Sequence, residues 1–286
     1  MKMVGRLACM AGLLCLTLIY GCGGNGGAAA GAGARYVAVD PAAGSSLRSN
    51  EATAINPSGH ATGIVLVAGD YSHAVLYSRA VTNLGTLPGD KFSYGQSLNA
   101  SDQVVGYSMS AGGVSRAFLY ANGQMIALAS AGSTASGINT QGQVVGSAVV
   151  VNGETHAVLW QNGQMSDLGT LPGAHESAAN AINDNGQVVG ISGGQAFLWQ
   201  NGQMTAIGAF NPTAINNAGQ VVGFIGVSTG THAIEWQNGQ LTDLGVYPGD
   251  LQSQATGINN AGQIVGWSMR VVNGNIEEHV FRPILW

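Results

Sequence analysis

Charged residues are scarce in this 286-residue chain. Asp, Glu, Lys and Arg make up 8% of it, and its lysines are Lys2 and Lys91. Helical surfaces need charged, straight-chain residues, whereas short strands joined by Gly-containing turns need few, so the scarcity favours an all-β fold. No basic cluster is present, which argues against a nucleic-acid partner. With 45% hydrophobic residues, the chain is also too apolar to be disordered along most of its length.

Cysteine is nearly absent as well. The three cysteines are Cys9, Cys15 and Cys22, and the first two fall in a segment that we expect export to remove. Cys22 is then the one thiol of the mature chain, so no intramolecular disulfide can form. A lone thiol in an oxidising compartment is a liability unless it is capped.

The N-terminus has the layout of a secretory signal. Two positive charges in Met1–Arg6 precede the apolar run Leu7–Tyr20, which is too short to remain as a membrane-spanning helix. The following Gly21 and Cys22 resemble the lipobox of bacterial lipoproteins, in which the cysteine is lipidated and becomes the new N-terminus. This resemblance implies a signal peptide over 1–21 and a membrane anchor at Cys22.

The Gly/Ala-rich segment 22–34 is predicted to be a flexible tether. Tyr20 stands where the lipobox usually has a small residue, so an ordinary signal peptide cut after Gly27 is the alternative. Either way we expect an extracytoplasmic protein, lipid-anchored in a bacterial cell envelope (the outer membrane in a Gram-negative cell) or secreted.

One sequence unit is written six times in the remaining chain, 35–286. Each copy has an anchor of Ile or Leu followed by Asn, and successive anchors are 33 to 44 residues apart. Periods of this size are typical of repeat arrays and propellers. The anchors are Ile55-Asn56, Leu98-Asn99, Ile138-Asn139, Ile182-Asn183, Ile215-Asn216 and Ile258-Asn259.

Each unit is predicted to form four strands, which we call A to D. Strand A ends at the anchor, strand B is the Val-Val segment, strand C ends in an aromatic residue, and strand D follows. Asn-Gly dipeptides such as Asn162-Gly163 separate C from D, and they indicate a type I′ turn because both residues tolerate positive φ. Asp102 replaces a glycine of the A-to-B turn and is predicted to be left-handed there.

These segments resemble the HAF repeats, a family of probable extracellular repeats of bacterial proteins named for His-Ala-Phe. The resemblance covers 51–286, with the name motif varied to His-Ala-Val at His73 and His156, Arg-Ala-Phe at Arg116, Gln-Ala-Phe at Gln195 and His-Ala-Ile at His232. Membership implies export and repetition, and it implies no activity.

The chain ends suggest how the repeats close. The sixth unit stops at Trp286, after its strand C, whereas Tyr36–Asp40 has the pattern of a spare strand D. An N-terminal strand that completes the last unit is how a propeller closes its ring. We therefore predict a six-bladed β-propeller of four-stranded blades, with an open β-repeat array as the alternative. In the last strand, matching Arg282 to Arg116 is preferred to matching His279.

The longer B-to-C and D-to-A loops must share one face of the ring, and this loop face is the expected binding surface. The repeated Trp160, Trp199 and Trp236 are predicted to pack between blades rather than to stack on sugars. The histidines at the start of strand C are expected to cap loop backbone, not to ligate a metal. The candidate binding residues are His73, Asp90, Arg116, His156, His175, Glu176, His232, Asp250 and Arg282.

No catalytic set, metal site or cofactor motif is recognisable. The sequence therefore favours a monomeric, non-catalytic propeller that binds a protein or glycan at the cell surface or in the periplasm. The alternatives are a propeller enzyme acting on extracellular glycan or peptide, and a structural or adhesive array.

Overall fold

A computed structural model of the protein describes residues 48–69, 71–228, 230–271 and 279–286. Within these ranges the chain forms 23 β-strands, and no helix there is long and apolar enough to cross a membrane. The signal segment, Cys22, the tether and the predicted strand Tyr36–Asp40 lie outside the described residues.

The strands fall into six groups along the chain. The first three groups are β1 (Arg48–Ile55), β2 (Ala61–Val67), β3 (Tyr71–Tyr77), β4 (Val81–Gly85); β5 (Phe92–Leu98), β6 (Val104–Met109), β7 (Ser115–Ala121), β8 (Gln124–Ala127); and β9 (Ser133–Ile138), β10 (Val144–Val149), β11 (Thr155–Gln161), β12 (Gln164–Gly169). The last three are β13 (Ser177–Ile182), β14 (Val188–Ser192), β15 (Gln195–Gln200), β16 (Gln203–Gly208); β17 (Asn211–Ile215), β18 (Val221–Val227), β19 (Gly230–Gln237), β20 (Gln240–Gly245); and β21 (Gln252–Ile258), β22 (Ile264–Val271), β23 (His279–Leu285).

Each group is one antiparallel sheet in which the strands pair in chain order. Five sheets have four strands, and β21–β23 form a three-stranded sheet among the described residues. The predicted all-β fold is confirmed: the sheets are the blades of a six-bladed β-propeller. From blade one to blade six, the first strand of each blade contacts the first strand of the next, so the A strands lie nearest the axis of the propeller.

The turns follow the predicted chemistry. Asn122, Asn162, Asn201 and Asn238 have φ between 51° and 54°, and each precedes a glycine of positive φ. These pairs are the two central residues of the tight C-to-D turns. Asp102 has φ 59°, as predicted for its place in an A-to-B turn.

The hydrophobic core lies mainly between blades. Trp160 of blade three is 2% exposed and belongs to one cluster with Val105 and Ala117 of blade two. Trp199 and Trp236 likewise pack against clusters that include residues of the preceding blade. The predicted packing role of these rings is therefore confirmed.

Strand B has a glycine where it passes strand A closely. A Cβ on Gly146 would overlap the carbonyl oxygen of Thr134, and the same overlap with strand A backbone occurs in every blade. Close backbone approach, not positive φ, explains why the motif is Val-Val-Gly. The six positions are Gly63, Gly106, Gly146, Gly190, Gly223 and Gly266.

The anchor asparagines link the blades. The Nδ2 atom of each of the first five donates a hydrogen bond of 2.9 to 3.1 Å to the carbonyl of the next anchor asparagine. Asn259 of blade six makes no such bond to blade one within the described residues. At this same junction Val265 is 48% exposed, whereas its counterpart Val222 is fully buried.

Candidate functional site

One residue of strand C occupies an equivalent position in all six blades: His73, Arg116, His156, Gln195, His232 and Arg282. Each pairs with the fifth residue of strand B, as Arg116 does with Ser108 and Arg282 with Ser268. Trp286 exchanges backbone hydrogen bonds with Ile264, the counterpart of the pairing between Tyr120 and Val104. The preferred register of the last strand, with Arg282 matched to Arg116, is thus confirmed.

In blades one, three and five this position is a histidine that bonds to strand D. His156 Nδ1 is 2.9 Å from the Asp167 carboxylate, and His232 Nδ1 is 2.8 Å from Asp243. His73 makes the corresponding contact with Asn83 at 3.1 Å. The prediction that these rings cap loop backbone is therefore wrong: a strand D side chain was available eleven residues away in blades three and five.

The strand D partner in turn accepts a backbone N–H two residues later. Asp167 bonds Gly169 at 2.8 Å and Asp243 bonds Gly245 at 2.7 Å. Burial raises the pKa of Asp243, but the hydrogen bonds from His232 and Gly245, with the charge of His232, outweigh it and leave the pKa below its ordinary 3.8. The histidines thus fix the end of strand D.

In blades two and six the same position is an arginine paired with a buried aspartate. Arg116 lies 2.9 Å from Asp90, whose side chain is 4% exposed, and donates to the Pro88 carbonyl at 2.8 Å. Arg282 lies 3.4 Å from Asp250, whose side chain is fully buried, and the Arg282 guanidinium is 4.9 Å from the Tyr247 ring centre. Both aspartates come from the Pro-Gly loop that leaves the preceding blade.

The blades therefore alternate between two types, one with a histidine at this strand C position and one with an arginine or glutamine. The sequence analysis did not predict this alternation. The fifth residue of strand B is serine in blades two, four and six, and each hydroxyl accepts a backbone N–H from the preceding Pro-Gly loop: Leu87 to Ser108, Leu171 to Ser192, and Tyr247 to Ser268. Pro-Gly loops follow strand D of blades one, three and five, at 86–90, 170–174 and 246–250. The occurrence of a Pro-Gly loop after every second blade is the sequence feature that could have predicted three double-blade units.

One of the three units departs from the others. Between blades three and four, Ala174 stands where the other loops have Asp90 and Asp250, and Gln195 stands where strand C has Arg116 and Arg282. The loop backbone is unchanged, because Ala174 N–H bonds the Leu171 carbonyl as Asp90 N–H bonds that of Leu87. Both halves of the ion pair are missing together, so neither charge is left unpaired.

A groove of about 450 Å³ opens at this place on the loop face. Glu154, His175 and Glu176 line it together with Gly173, Ala174 and Gly193. A second depression of about 510 Å³ shares the last three residues and extends past Gln195 and Gln203. The strands of blade four are joined here by the two glycines 193 and 194 alone, so no B-to-C loop covers the groove.

The groove is electronegative. His175 Nδ1 lies 3.0 Å from Glu154, and Asn152 Nδ2 donates to the same carboxylate at 2.7 Å. The hydrogen bond from His175 is the main cause that lowers the pKa of Glu154, which is therefore an anion at neutral pH. His156 Nε2 is buried without a hydrogen-bond partner, 3.6 Å from Glu154.

The predicted binding residues are distributed around the loop face. His175 and Glu176 line the groove, and His156 lies beside it, 3.6 Å from Glu154. His73 and His232 belong to other blades, and in each Arg–Asp pair the two side chains bind each other. Glu154 was not predicted, because nothing in its B-to-C loop marks it before the fold brings His175 against it. In the described part of the chain, no three His, Cys, Asp or Glu side chains are placed to hold a metal ion.

Ser192, which lines the adjoining depression, is not free to act as a nucleophile. The Ser192 hydroxyl accepts from Leu171 N–H and donates to the Glu176 carbonyl, both at 3.0 Å. The groove therefore presents carboxylates and an imidazole, and the adjoining depression presents the side-chain amides of Gln195 and Gln203. These groups suit hydrogen bonding and charge pairing.

No protein-family model matches the chain, and no curated protein matches it in sequence. Among solved structures, the β-propeller domain of the Trilobed protease from Pyrococcus furiosus, reported to have an open velcro topology, is similar with a TM-score of 0.54 and 9% identity. That match covers 84% of this chain and 81% of the domain.

A puromycin-hydrolyzing peptidase from Mycobacterium tuberculosis is similar with a TM-score of 0.51 and 10% identity, over 78% of this chain and 42% of the peptidase. TolB from Acinetobacter baumannii has a TM-score of 0.49 and 13% identity, over 68% of this chain and 52% of TolB. The chain thus spans about half of TolB and less than half of the peptidase. At such identities the likeness shows the propeller fold alone.

Proposed function

We propose that this protein is an exported, non-catalytic β-propeller that binds a ligand on its loop face, at the groove between blades three and four. The observation that carries the proposal is that one of the three double-blade units lacks the Arg–Asp pair of the other two. Two of the three equivalent places are filled by a buried Arg–Asp pair, and the third has small or shorter residues around an open groove. Concave sites of a few hundred Å³ are typical of ligand pockets.

The chemistry of the groove supports binding rather than turnover. The hydroxyl of Ser192 in the adjoining depression is engaged by backbone groups. Glu154 in the groove has a lowered pKa, which suits an anion that pairs with a ligand more than a general acid.

The test is to fill the groove with the fold's own ion pair. The full chain and the double variant Ala174→Asp/Gln195→Arg are compared on immobilised peptidoglycan, glycan and peptide arrays. We expect the unmodified protein to retain a ligand that the double variant does not, and mass spectrometry to recover that ligand unchanged. Equal retention by both proteins refutes a site in the groove, and a processed ligand refutes the non-catalytic role.

We further propose that a lipid on Cys22 anchors the propeller in the cell envelope and that the repeats belong to the HAF type. More than one acyl chain would hold the protein stably, since each buried methylene contributes about 0.8 kcal/mol. Cys22→Ser is expected to move the protein from the membrane fraction to the soluble fraction, with an unchanged circular dichroism spectrum. Unaltered membrane retention would refute the anchor.

A further inference from the structure

The loop face already binds guanidinium groups at two places equivalent to the groove. At each, an arginine side chain from strand C enters the Pro-Gly loop of the preceding blade, and its charge is met by a buried carboxylate. In blade two the guanidinium also donates to the carbonyl of Pro88 at 2.8 Å. In this loop the backbone therefore receives the guanidinium together with the carboxylate.

The third loop keeps that backbone. Pro172 has the position of Pro88, and the turn hydrogen bond from Ala174 to Leu171 repeats the one from Asp90 to Leu87. Gln195 is shorter than arginine, is exposed and is uncharged. The place of the guanidinium is thus vacant, while the carbonyl that would receive it is retained.

Negative charge is present at the edge of the vacant place. Ala174 removes the buried aspartate, but Glu154 of blade three and Glu176, which directly precedes the first strand of blade four, line the groove. The hydrogen bonds from His175 and Asn152 hold the Glu154 carboxylate in place. A cation that enters from outside therefore meets carboxylates that are accessible, where Arg116 meets one that is buried.

The groove is poorly suited to a neutral sugar. The residues that line it and the adjoining depression include no Trp, Tyr or Phe, so it offers no aromatic ring for stacking. The charge of the whole chain, with fourteen acidic and nine basic residues, also favours approach of a cation.

We propose that the groove between blades three and four binds its ligand through a guanidinium or ammonium group, with an arginine side chain as the best fit. This inference rests on the proposed binding function and names the ligand class of the same site. Arginine fits best because its planar fork can donate to a carboxylate and to a backbone carbonyl at once, as Arg116 does. Charge-assisted hydrogen bonds of this kind are stronger than neutral ones.

The experiment measures binding of defined probes to the full chain by titration calorimetry. The probes are a short capped peptide with one arginine, the same peptide with citrulline in its place, the lysine peptide, and spermidine as a free amine. Citrulline has the shape of arginine without its charge. We expect the arginine peptide to bind at least about tenfold more tightly than the citrulline peptide, which is the effect of about 1.4 kcal/mol. The lysine peptide tests whether the groove accepts an ammonium group on a peptide, and spermidine tests whether it accepts the ammonium groups of a free amine.

Variants connect the binding to the groove. Glu154→Gln and Glu176→Gln are each expected to weaken the arginine peptide about tenfold, and Ala174→Asp/Gln195→Arg to abolish its binding. Glu235→Gln on blade five removes a carboxylate that bonds Gln220 instead of lining the groove, and it is the matched control with unchanged binding.

Equal affinity for the arginine and citrulline peptides overturns the cation proposal, and so does the absence of binding by every cationic probe. Those results leave the binding function standing if the arrays yield a neutral ligand that the filled groove loses. If the arrays and the probes all fail, the binding function is refuted as well.

Discussion

Asn139 offers a direct test of the inter-blade asparagine bonds. It is 3% exposed, and its side chain makes four hydrogen bonds. Oδ1 accepts the N–H groups of Gln141 and Gln143, while Nδ2 donates to the Gln143 side chain at 2.7 Å and to the Asn183 carbonyl of blade four at 3.1 Å. Asn139→Ala removes these bonds and leaves the N–H groups of Gln141 and Gln143 without their partner in a part-buried turn, while the Asn183 carbonyl keeps only the N–H of Gly186.

The expected cost follows from those bonds. A neutral hydrogen bond contributes a net 0.5–1.5 kcal/mol or so, and buried groups left unpaired cost more than exposed ones. Because the Gln143 side chain can turn to solvent, we expect Asn139→Ala to lower the free energy of unfolding by about 3–4 kcal/mol. For a domain of this size that is a fall in Tm of roughly 10 °C.

Asn259 is the matched control. It makes the same three bonds within its own turn, but it is exposed and makes no bond to blade one among the described residues. Water can replace what Asn259→Ala removes, so a loss below about 1 kcal/mol is expected. Urea unfolding of both variants, followed by circular dichroism, measures the difference. Equal destabilisation would refute the claim that the inter-blade bond and its burial carry the effect.

Three further predictions concern stability. Gly190→Ala places a Cβ against the Ala178 carbonyl and should lower the free energy of unfolding by several kcal/mol, because it forces strands A and B apart. Gly226→Ala has open space at its Cβ and should be neutral. Similar Tm values for the two variants would contradict this. Phe197→Ala empties a fully buried place between blades three and four and should cost about 3–5 kcal/mol in urea unfolding, with exposed Val151→Ala as the unaffected control. Asp243 has a pKa below 3.8, so its stabilising effect is present above that pH and is lost as the pH falls through the folded value. Tm recorded from pH 6 to about 2.5 should therefore fall less in Asp243→Asn than in the unmodified protein, and parallel curves would contradict the pairing with His232.

The fold was predictable from the sequence because short local motifs specify its strands and turns, and these motifs are repeated six times. Asn-Gly pairs require positive φ at both positions, and such turns join antiparallel strands in any context. The Val-Val-Gly segment combines two buried side chains with a glycine that the neighbouring strand approaches closely. Six copies of these local rules are enough to specify six similar blades, and Asp102 in place of glycine follows the same turn chemistry.

Two sets of contacts could not be predicted from the individual repeats and were decided by the tertiary structure. The alternation of blades becomes visible when Ser108, Ser192 and Ser268 are seen to bond the loop of the preceding blade. The histidines of strand C find their partners across the hairpin, in strand D. These contacts join residues of different elements, so no single repeat contains the information.

The groove is the clearest case. In the sequence, Ala174 and Gln195 are ordinary variants of a loop and a strand, 21 positions apart, and Glu154 is an unremarked loop residue. Only the fold shows that the first two replace the partners of a buried ion pair, and that the third faces the space they vacate. The sequence by itself determined the six blades, because turn chemistry and alternation act within a few residues. The place of a binding site was decided by the tertiary structure, because it depends on which side chains fill the junction between two blades.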